Sequence, residues 1–467
     1  MNQFPPNTAI ATYYTEISHK YQLKGIFYLD LWPFGPSQMV LVHPNAAEHV
    51  TTVENYPLHD EVSRYLTPLL GEHAIGASDG ERWKMLHRIL TPAFKPSKTK
   101  AMAPVIAEQV SLLLHPTLTQ YAGSAEVFSM EECAARLVFS ISSTVILGNS
   151  VSEDENAQLI SDINAVVDYA TMLTLTAATN PLSKVRKWWK KRAAIQRMDS
   201  FLRLLIKGRY AQLAHGKVDV NRADSTILDA ILANVQSMRC VPHGFAAPDS
   251  ELVQIVTDKS AAWRLWNNSG YFMCKSRNKL YIGSSANPIE YVFIVLHFHP
   301  PVVQNLRDEH DRIFSRDINA IRKVLEQTPH KLNELHYTTA VVKETLRLFP
   351  VGFGAQIFPH PTKFNPARFL EPDLASMPRN AWRPFERGAR MCPGRDLAMD
   401  GLRIILLLTV REYKFQCADV DHLVKSMPGV QHTDMDAVMG DLAFQEMGFS
   451  AKARGGAMMR VSLMQSY

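Results

Sequence analysis

Apolar residues return every three or four positions through most of the chain between Gly80 and Leu348. That period places them on one stripe of an α-helix. It predicts helices over Glu81–Leu90, Pro104–Tyr121, Met130–Leu147, Asp154–Leu173 and Pro181–His215. Pro300 and Pro301 suit the first turn of a further helix to Phe314, where a missing N–H leaves no bond unmade. Lys331–Leu348 predicts another, stopped before Pro350. Near the N-terminus, Ile26–Leu31 and Gln38–Val42 are short apolar, aromatic-rich runs on either side of Pro33, Gly35 and Pro36, the pattern of a hairpin. From Val351 to Pro393 the periodicity gives way to Pro-, Phe- and Arg-rich chain, and so long a coil inside a compact domain is usually functional. A last helix is predicted over Arg395–Arg411, with strands between Leu442 and Leu463 around a Gly455-Gly456 turn. The fold class is therefore mainly α with small sheets near both termini. No Gly/Ser-rich or charged linker interrupts the pattern, so residues 1–467 read as a single domain.

Composition narrows the class. With 46% hydrophobic and 20% charged residues the chain is globular, not disordered or fibrous. A net charge of +5 fits a basic patch for an acidic partner or membrane surface as well as an ordinary solvated surface, and gives no reason to expect nucleic acid. The five cysteines, Cys133, Cys240, Cys274, Cys392 and Cys417, form no C-x-x-C pair and no zinc spacing with histidine. No apolar run approaches the roughly 20 residues that cross a bilayer. The opening MNQFPPNTAIATYY lacks the basic and apolar regions of a secretion signal. On its own the chain reads as intracellular, soluble or peripheral.

One segment changes the picture: Phe385-Glu-Arg-Gly388-Ala-Arg390-Met-Cys392-Pro-Gly394, between the irregular coil and the last helix. A lone cysteine is ordinarily a small core hydrophobe. Here Cys392 stands just before a helix N-terminus, whose amides supply about half a unit of positive charge to a thiolate. Gly388 permits a tight turn that directs backbone donors at the sulfur, and Gly394 lets a flat macrocycle approach the chain. Phe385 can shield the sulfur, and Arg390 can reach an anionic propionate.

This run resembles the F-x-x-G-x-R-x-C-x-G ligand loop of the cytochrome P450 superfamily at every fixed position. Glu344 and Arg347, three apart on one helix face, look like that family's E-x-x-R. Phe364-Asn-Pro-Ala-Arg368-Phe369 looks like its P-E-R-F element, with Ala367 in the place of the glutamate. The resemblance implies a buried Glu344, Arg347 and Arg368 triad that locks the coil. Gly80-Glu-Arg-Trp83-Lys-Met-Leu-His87-Arg88 is similar to the W-x-x-x-R helix that holds haem propionates; His87 occupies the arginine position and Arg88 follows it, so the role passes to both, beside Trp83.

A cytochrome P450-like fold implies haem b with Cys392 as axial thiolate, a ligand that favours O–O cleavage. The activity implied is a monooxygenase that hydroxylates or epoxidises a small hydrophobic metabolite with O2, of the fungal secondary-metabolite kind. With no flavin or nicotinamide fingerprint in the chain, electrons would come from an NADPH-dependent cytochrome P450 reductase. The family places such enzymes at the endoplasmic reticulum membrane, although no transmembrane anchor is read here; peripheral membrane contact fits instead. Two stretches depart from the family. At the central oxygen-activation motif stands Leu280-Tyr281-Ile282-Gly283-Ser284, where only Ser284 offers an alcohol and the acid has become Gly283. Residues 260–290 read as a disrupted central helix, an insertion or a misread gene segment, with Pro288 expected to break or kink the chain. A piece of sheet is missing near 356–357. The alternative reading is a haem-binding but catalytically impaired relative.

Overall fold

The computed structural model describes residues 4–5, 8–23, 25–33, 37–54, 56–57, 59–60, 67, 75–148, scattered positions between 155 and 169, then 181–215, 225–237, 283–349, 358, 360–361, 363–377, 379–418, 438–447 and 451–464. Helices form where apolar periodicity and capping residues agree. Met130–Leu147 begins where the Ser129 hydroxyl accepts the Glu132 N–H and ends on Gly148 in the left-handed conformation. Gly80–Leu90 begins on Asp79, whose carboxylate takes the Gly80 N–H. Pro181–Ala214, Pro300–Ile313 and Arg395–Thr409 occupy the predicted spans. The described positions between 155 and 169 are helical.

Two predicted helices are broken. In place of Pro104–Tyr121 the chain runs through Ala103–Gln109, a π-turn Val110–Leu114, and His115–Ser124. Pro116 lacks an N–H and crowds the turn before it, and a wider turn relieves the clash. Lys331–Leu348 divides into a 3-10 turn Pro329–Glu334 and a helix His336–Leu348, separated by Leu335 at φ −76°, ψ 67°.

Helix Gly283–Phe298 lies at the centre, against Met130–Leu147, His336–Leu348 and Arg395–Thr409. Every residue from Ala286 to Val295 is buried, as a helix enclosed on all sides requires. The Tyr291 ring stacks on Phe349 at 4.0 Å, and Phe293 meets Phe415 at 4.2 Å. Each such side chain contributes about 1.5–3 kcal/mol by leaving water. This corrects the expected break at Pro288: the helix continues on both sides of it. Proline removes one N–H bond, and burial of the neighbouring turns outweighs that loss. Residues 260–282 lie outside the described residues.

The strands are few. β1 (Ile26–Leu29) and β2 (Gln38–Leu41) form the predicted hairpin, with Ile26 opposite Leu41. β3 (Phe128–Ser129), β7 (Met458–Leu463) and β4 (Tyr413–Cys417) form a sheet in the order β3-β7-β4. β5 (Glu446–Met447) and β6 (Ala451–Lys452) form a separate antiparallel pair, and Gly455 and Gly456 both take positive φ in the turn before β7.

Between the central helix and β6 lies a buried ionic cluster. Lys452 Nζ is 3.8 Å from Glu131 and 3.7 Å from Glu446. Glu290, wholly buried, faces the same region. Burial first, and the Glu131 carboxylate second, push the Glu290 carboxyl well above its ordinary range, against the pull of Lys452. The folded protein thus keeps a proton that the unfolded chain releases above about pH 4.5, so this group lowers stability as pH rises past that point. Glu290→Gln is expected to raise the melting temperature at pH 7.5 by roughly 1–2 °C and to flatten its fall between pH 5 and 8. Calorimetry across that range checks it; a variant that melts lower than wild type at neutral pH contradicts it.

Candidate active site

The Cys392 loop is closed by its own backbone. Cys392 N–H donates to the Phe385 carbonyl at 2.9 Å, and Met391 N–H to Gly388 O at 3.1 Å. Gly388 takes φ +77°, as the tight turn requires. Its lack of a side chain serves a second purpose: a Cβ there would lie 2.2 Å from the carbonyl oxygen of Thr51. The close approach at Gly388 is therefore to the π-turn His49–Val53. Arg383 reinforces it by donating to Thr51 Oγ1 at 2.6 Å, and Asn380 donates to Glu48.

The Cys392 sulfur sits half-buried, one turn before helix Arg395–Thr409. Burial pushes the thiol up to about 11, opposed by a hydrogen bond from the Gly394 amide and by the Arg395 charge. The donor aimed at the sulfur is thus the Gly394 N–H. Gly394 itself is buried at an ordinary φ of −81°. A thiol raised this far needs a cation bound directly to sulfur to become a thiolate at neutral pH. Phe385 is half-buried, its ring 6.1 Å from Trp382.

Helix Gly80–Leu90 meets this loop. Arg390 donates to Asp79 at 2.7 Å and to the Ser78 carbonyl at 3.3 Å, and its guanidinium lies 4.9 Å from the Trp83 ring. His87, one turn beyond Trp83, packs on it at 4.8 Å, and burial lowers its pKa. Arg88 is exposed. The structure thus gathers Trp83, His87 and Arg390 and leaves Arg88 on the outer side. Asp79 was not singled out in the sequence; its only signal was its place before the helix, since its partner is 311 residues away.

The triad forms. Arg347 grips Glu344 with two bonds of 2.6 and 2.9 Å, and Arg368 Nε reaches the same carboxylate at 3.3 Å. The remaining guanidinium donors collect coil carbonyls: Arg347 takes Pro361 at 2.6 Å and Lys363 at 3.1 Å, and Arg368 takes His360 at 3.1 Å. Asn365 N–H adds a 2.9 Å bond to Glu344. Phe358 lies against both guanidinium groups, 5.1 and 6.0 Å away. Ala367, in the glutamate position, gives its N–H to Asn365 Oδ1, which begins the turn that presents Arg368. A cavity of about 380 Å³ opens beside Arg368, and none of its lining belongs to the Cys392 loop. Ser284 lies in the second position of helix Gly283–Phe298. The segment near 356–357 lies outside the described residues.

These parts suit a haem. A single sulfur at a helix N-terminus, with a backbone donor and an aromatic neighbour, has the chemistry that an axial ligand needs. Among the described residues no group of three or more histidine, cysteine or acidic side chains could hold a bare ion. The family model described as Cytochrome P450 matches residues 3–257, 283–355 and 354–434. The chain belongs to the cytochrome P450 family, the class defined by a haem-thiolate cofactor. Within it, the chain is a monooxygenase of the fungal type. It is 25% identical to cytochrome P450 monooxygenase acrF of Aspergillus aculeatus, over 96% of each chain. It is 26% identical to cytochrome P450 monooxygenase PC-20 of Penicillium crustosum, over 90% of this chain and 84% of that one. The crystal structure of the cytochrome P450DA heme domain shares the fold, with a TM-score of 0.70 at 15% identity over 98% of this chain and 94% of that one. The family match leaves 258–282 uncovered, within the stretch read as disrupted, and its second and third segments overlap at 354–355, next to the place where a piece of sheet is expected to be missing.

Proposed function

We propose that Cys392 is the axial ligand of haem b and that the chain inserts one oxygen atom from O2 into a small hydrophobic metabolite of fungal secondary metabolism. The observation that carries this reading is the Cys392 loop, with its sulfur at a helix N-terminus facing the Gly394 amide. Haem supplies the oxygen-activating redox chemistry; the protein holds, orients and shields it. Trp83, His87 and Arg390 would hold the propionates. The Asp79 bond to Arg390 fixes that guanidinium beforehand, and proximity without reorganisation strengthens an ionic contact. Ser284 would present a hydroxyl for proton delivery. Electrons come from a reductase, as the family requires, and we infer an NADPH-dependent one at the endoplasmic reticulum membrane. No described helix is long and apolar enough to cross a membrane.

The experiment is spectroscopic. Purified protein, reduced and exposed to carbon monoxide, is expected to develop the strongly red-shifted Soret band of a thiolate haem. A band typical of a histidine-ligated haem, or no haem, rejects the proposal. The propionate assignment separates His87 from Arg88. His87→Ala should weaken haem retention about tenfold in transfer to apomyoglobin, the effect of losing roughly one charge-assisted hydrogen bond, while Arg88→Ala should leave it within twofold. Equal losses would contradict the geometry.

A further inference from the structure

The β5–β6 hairpin lies between the N-terminal segment and helix Gly283–Phe298, and its attachments to the two differ in kind. Toward the N-terminal segment they do not depend on any carboxyl proton: Ala9 N–H donates to Gln445 O at 2.8 Å, Thr8 bridges to Glu446, and Arg454 donates to Thr8 Oγ1 at 3.2 Å. Toward the central helix, Asn287 donates to Ala451 O and Tyr291 to Lys452 O at 3.3 Å. The rest of that attachment is ionic. The Lys452 side chain, 4% exposed, stands between Glu131, at the start of helix Met130–Leu147, and Glu446 on β5. Glu290 faces Glu131 and Lys452 from the central helix, beside the Ala453 amide. Among the described residues, half-buried Arg454 and the Tyr291 hydroxyl complete the charged and titratable groups of this region.

Enclosed charges are tolerated when they are paired. Lys452 already answers Glu131 and Glu446, and a charge on Glu290 would set a second buried carboxylate beside Glu131, where little water screens the repulsion. Glu131 and Glu290 are carried by helices of 18 and 16 residues. Lys452 and Glu446 are carried by a hairpin with only two paired residues on each strand, so the hairpin is the part that yields. We propose that the β5–β6 hairpin is a pH-operated latch on the central helix, shut while Glu290 carries its proton and released when Glu290 and Glu131 are both charged. Burial and the Glu131 carboxylate hold the Glu290 carboxyl well above its ordinary value of 4.5. An open hairpin gives that proton up more readily, so closure is fully favoured below pH 4.5 and is progressively lost as pH rises toward the raised value. Opening uncovers the central helix at Asn287, one turn past Ser284. It involves no residue around Cys392, so the latch stands independently of the haem reading.

Hydrogen exchange of the full-length protein tests it, read on peptides spanning 444–454 and corrected for the chemical exchange rate at each pH. Protection of these amides is expected to fall by up to about tenfold per pH unit between about pH 5 and 8, the dependence of an opening that releases one proton. Helix Arg395–Thr409 should keep constant protection over the same range, which separates release of the latch from unfolding of the whole chain. Glu290→Gln cannot ionise, so it should flatten the dependence and leave the hairpin better protected than wild type at the alkaline end. Wild-type hairpin amides whose protection does not change with pH overturn the proposal, as does a Glu290→Gln protein that keeps the slope. Protection lost in step with helix Arg395–Thr409 overturns it in favour of global unfolding.

Discussion

Cys392→Ala is expected to yield a folded protein that has lost the red-shifted carbon monoxide band and at least about nine-tenths of its haem. The two effects separate because of how the loop is closed. Its backbone bond, Cys392 N–H to Phe385 O, does not involve the side chain, and neither does the positive φ of Gly388. An alanine preserves the turn and removes the sulfur. Losing a metal's protein ligand removes the largest single contribution to its retention. Pyridine haemochrome titration measures the haem, and circular dichroism reports whether the helices persist. Cys392→Ser should keep more haem than alanine while moving the band to shorter wavelength, since a hydroxyl donates less electron density than a thiolate. An alanine variant that keeps the band places the iron on another residue.

Glu344→Ala is expected to be the most destabilising single change in the chain. Glu344 is fully buried, and the side chains of Arg347 and Arg368 are 6% and 8% exposed. Removing the carboxylate leaves two guanidinium groups enclosed without a counter-charge, a loss of about 3–5 kcal/mol. It also frees the Asn365 amide and loosens the arginines that gather the carbonyls of His360, Pro361 and Lys363. For a domain of ordinary marginal stability that is a large fraction of the total. The expected result is mostly insoluble protein with little haem in the soluble fraction, read by soluble haem yield and melting temperature. Glu344→Gln keeps the shape and loses the charge, so it should fall between the two. A soluble Glu344→Ala protein that melts within about 1 °C of wild type would show that the triad does not hold the coil.

Much of this was legible because its signals are local. The tight turn at Gly388, the helix starting at Arg395 and the Glu344–Arg347 pair are all set by residues within a few positions of one another. The triad's arginine at 368 was legible only by resemblance, since spacing alone does not bring a residue 24 positions away onto Glu344. The misses share a physical cause. β3 is two residues long and exists because β7 lies beside it. β4 was passed over although Tyr413, Phe415 and Cys417 alternate with exposed Lys414 and Gln416; a helix immediately before it hides so short a period. Helix Ile318–Gln327 was also missed, with its Asp317 cap accepting two amides. Pro288 misled in the opposite direction, because burial of Tyr291, Phe293 and their neighbours depends on partners that no window of sequence contains.

The contact of Gly388 with Thr51 has a consequence for biosynthesis. The sulfur seat rests on a turn made near the beginning of the chain, yet the seat itself lies more than three hundred residues downstream. A growing polypeptide cannot complete it until the last long helix has left the ribosome, and the early turn must wait, unpartnered, throughout translation. With Cys392 as the proposed ligand, loading of the prosthetic group belongs to the end of maturation, and premature termination anywhere before residue 395 should release chains with no seat for it.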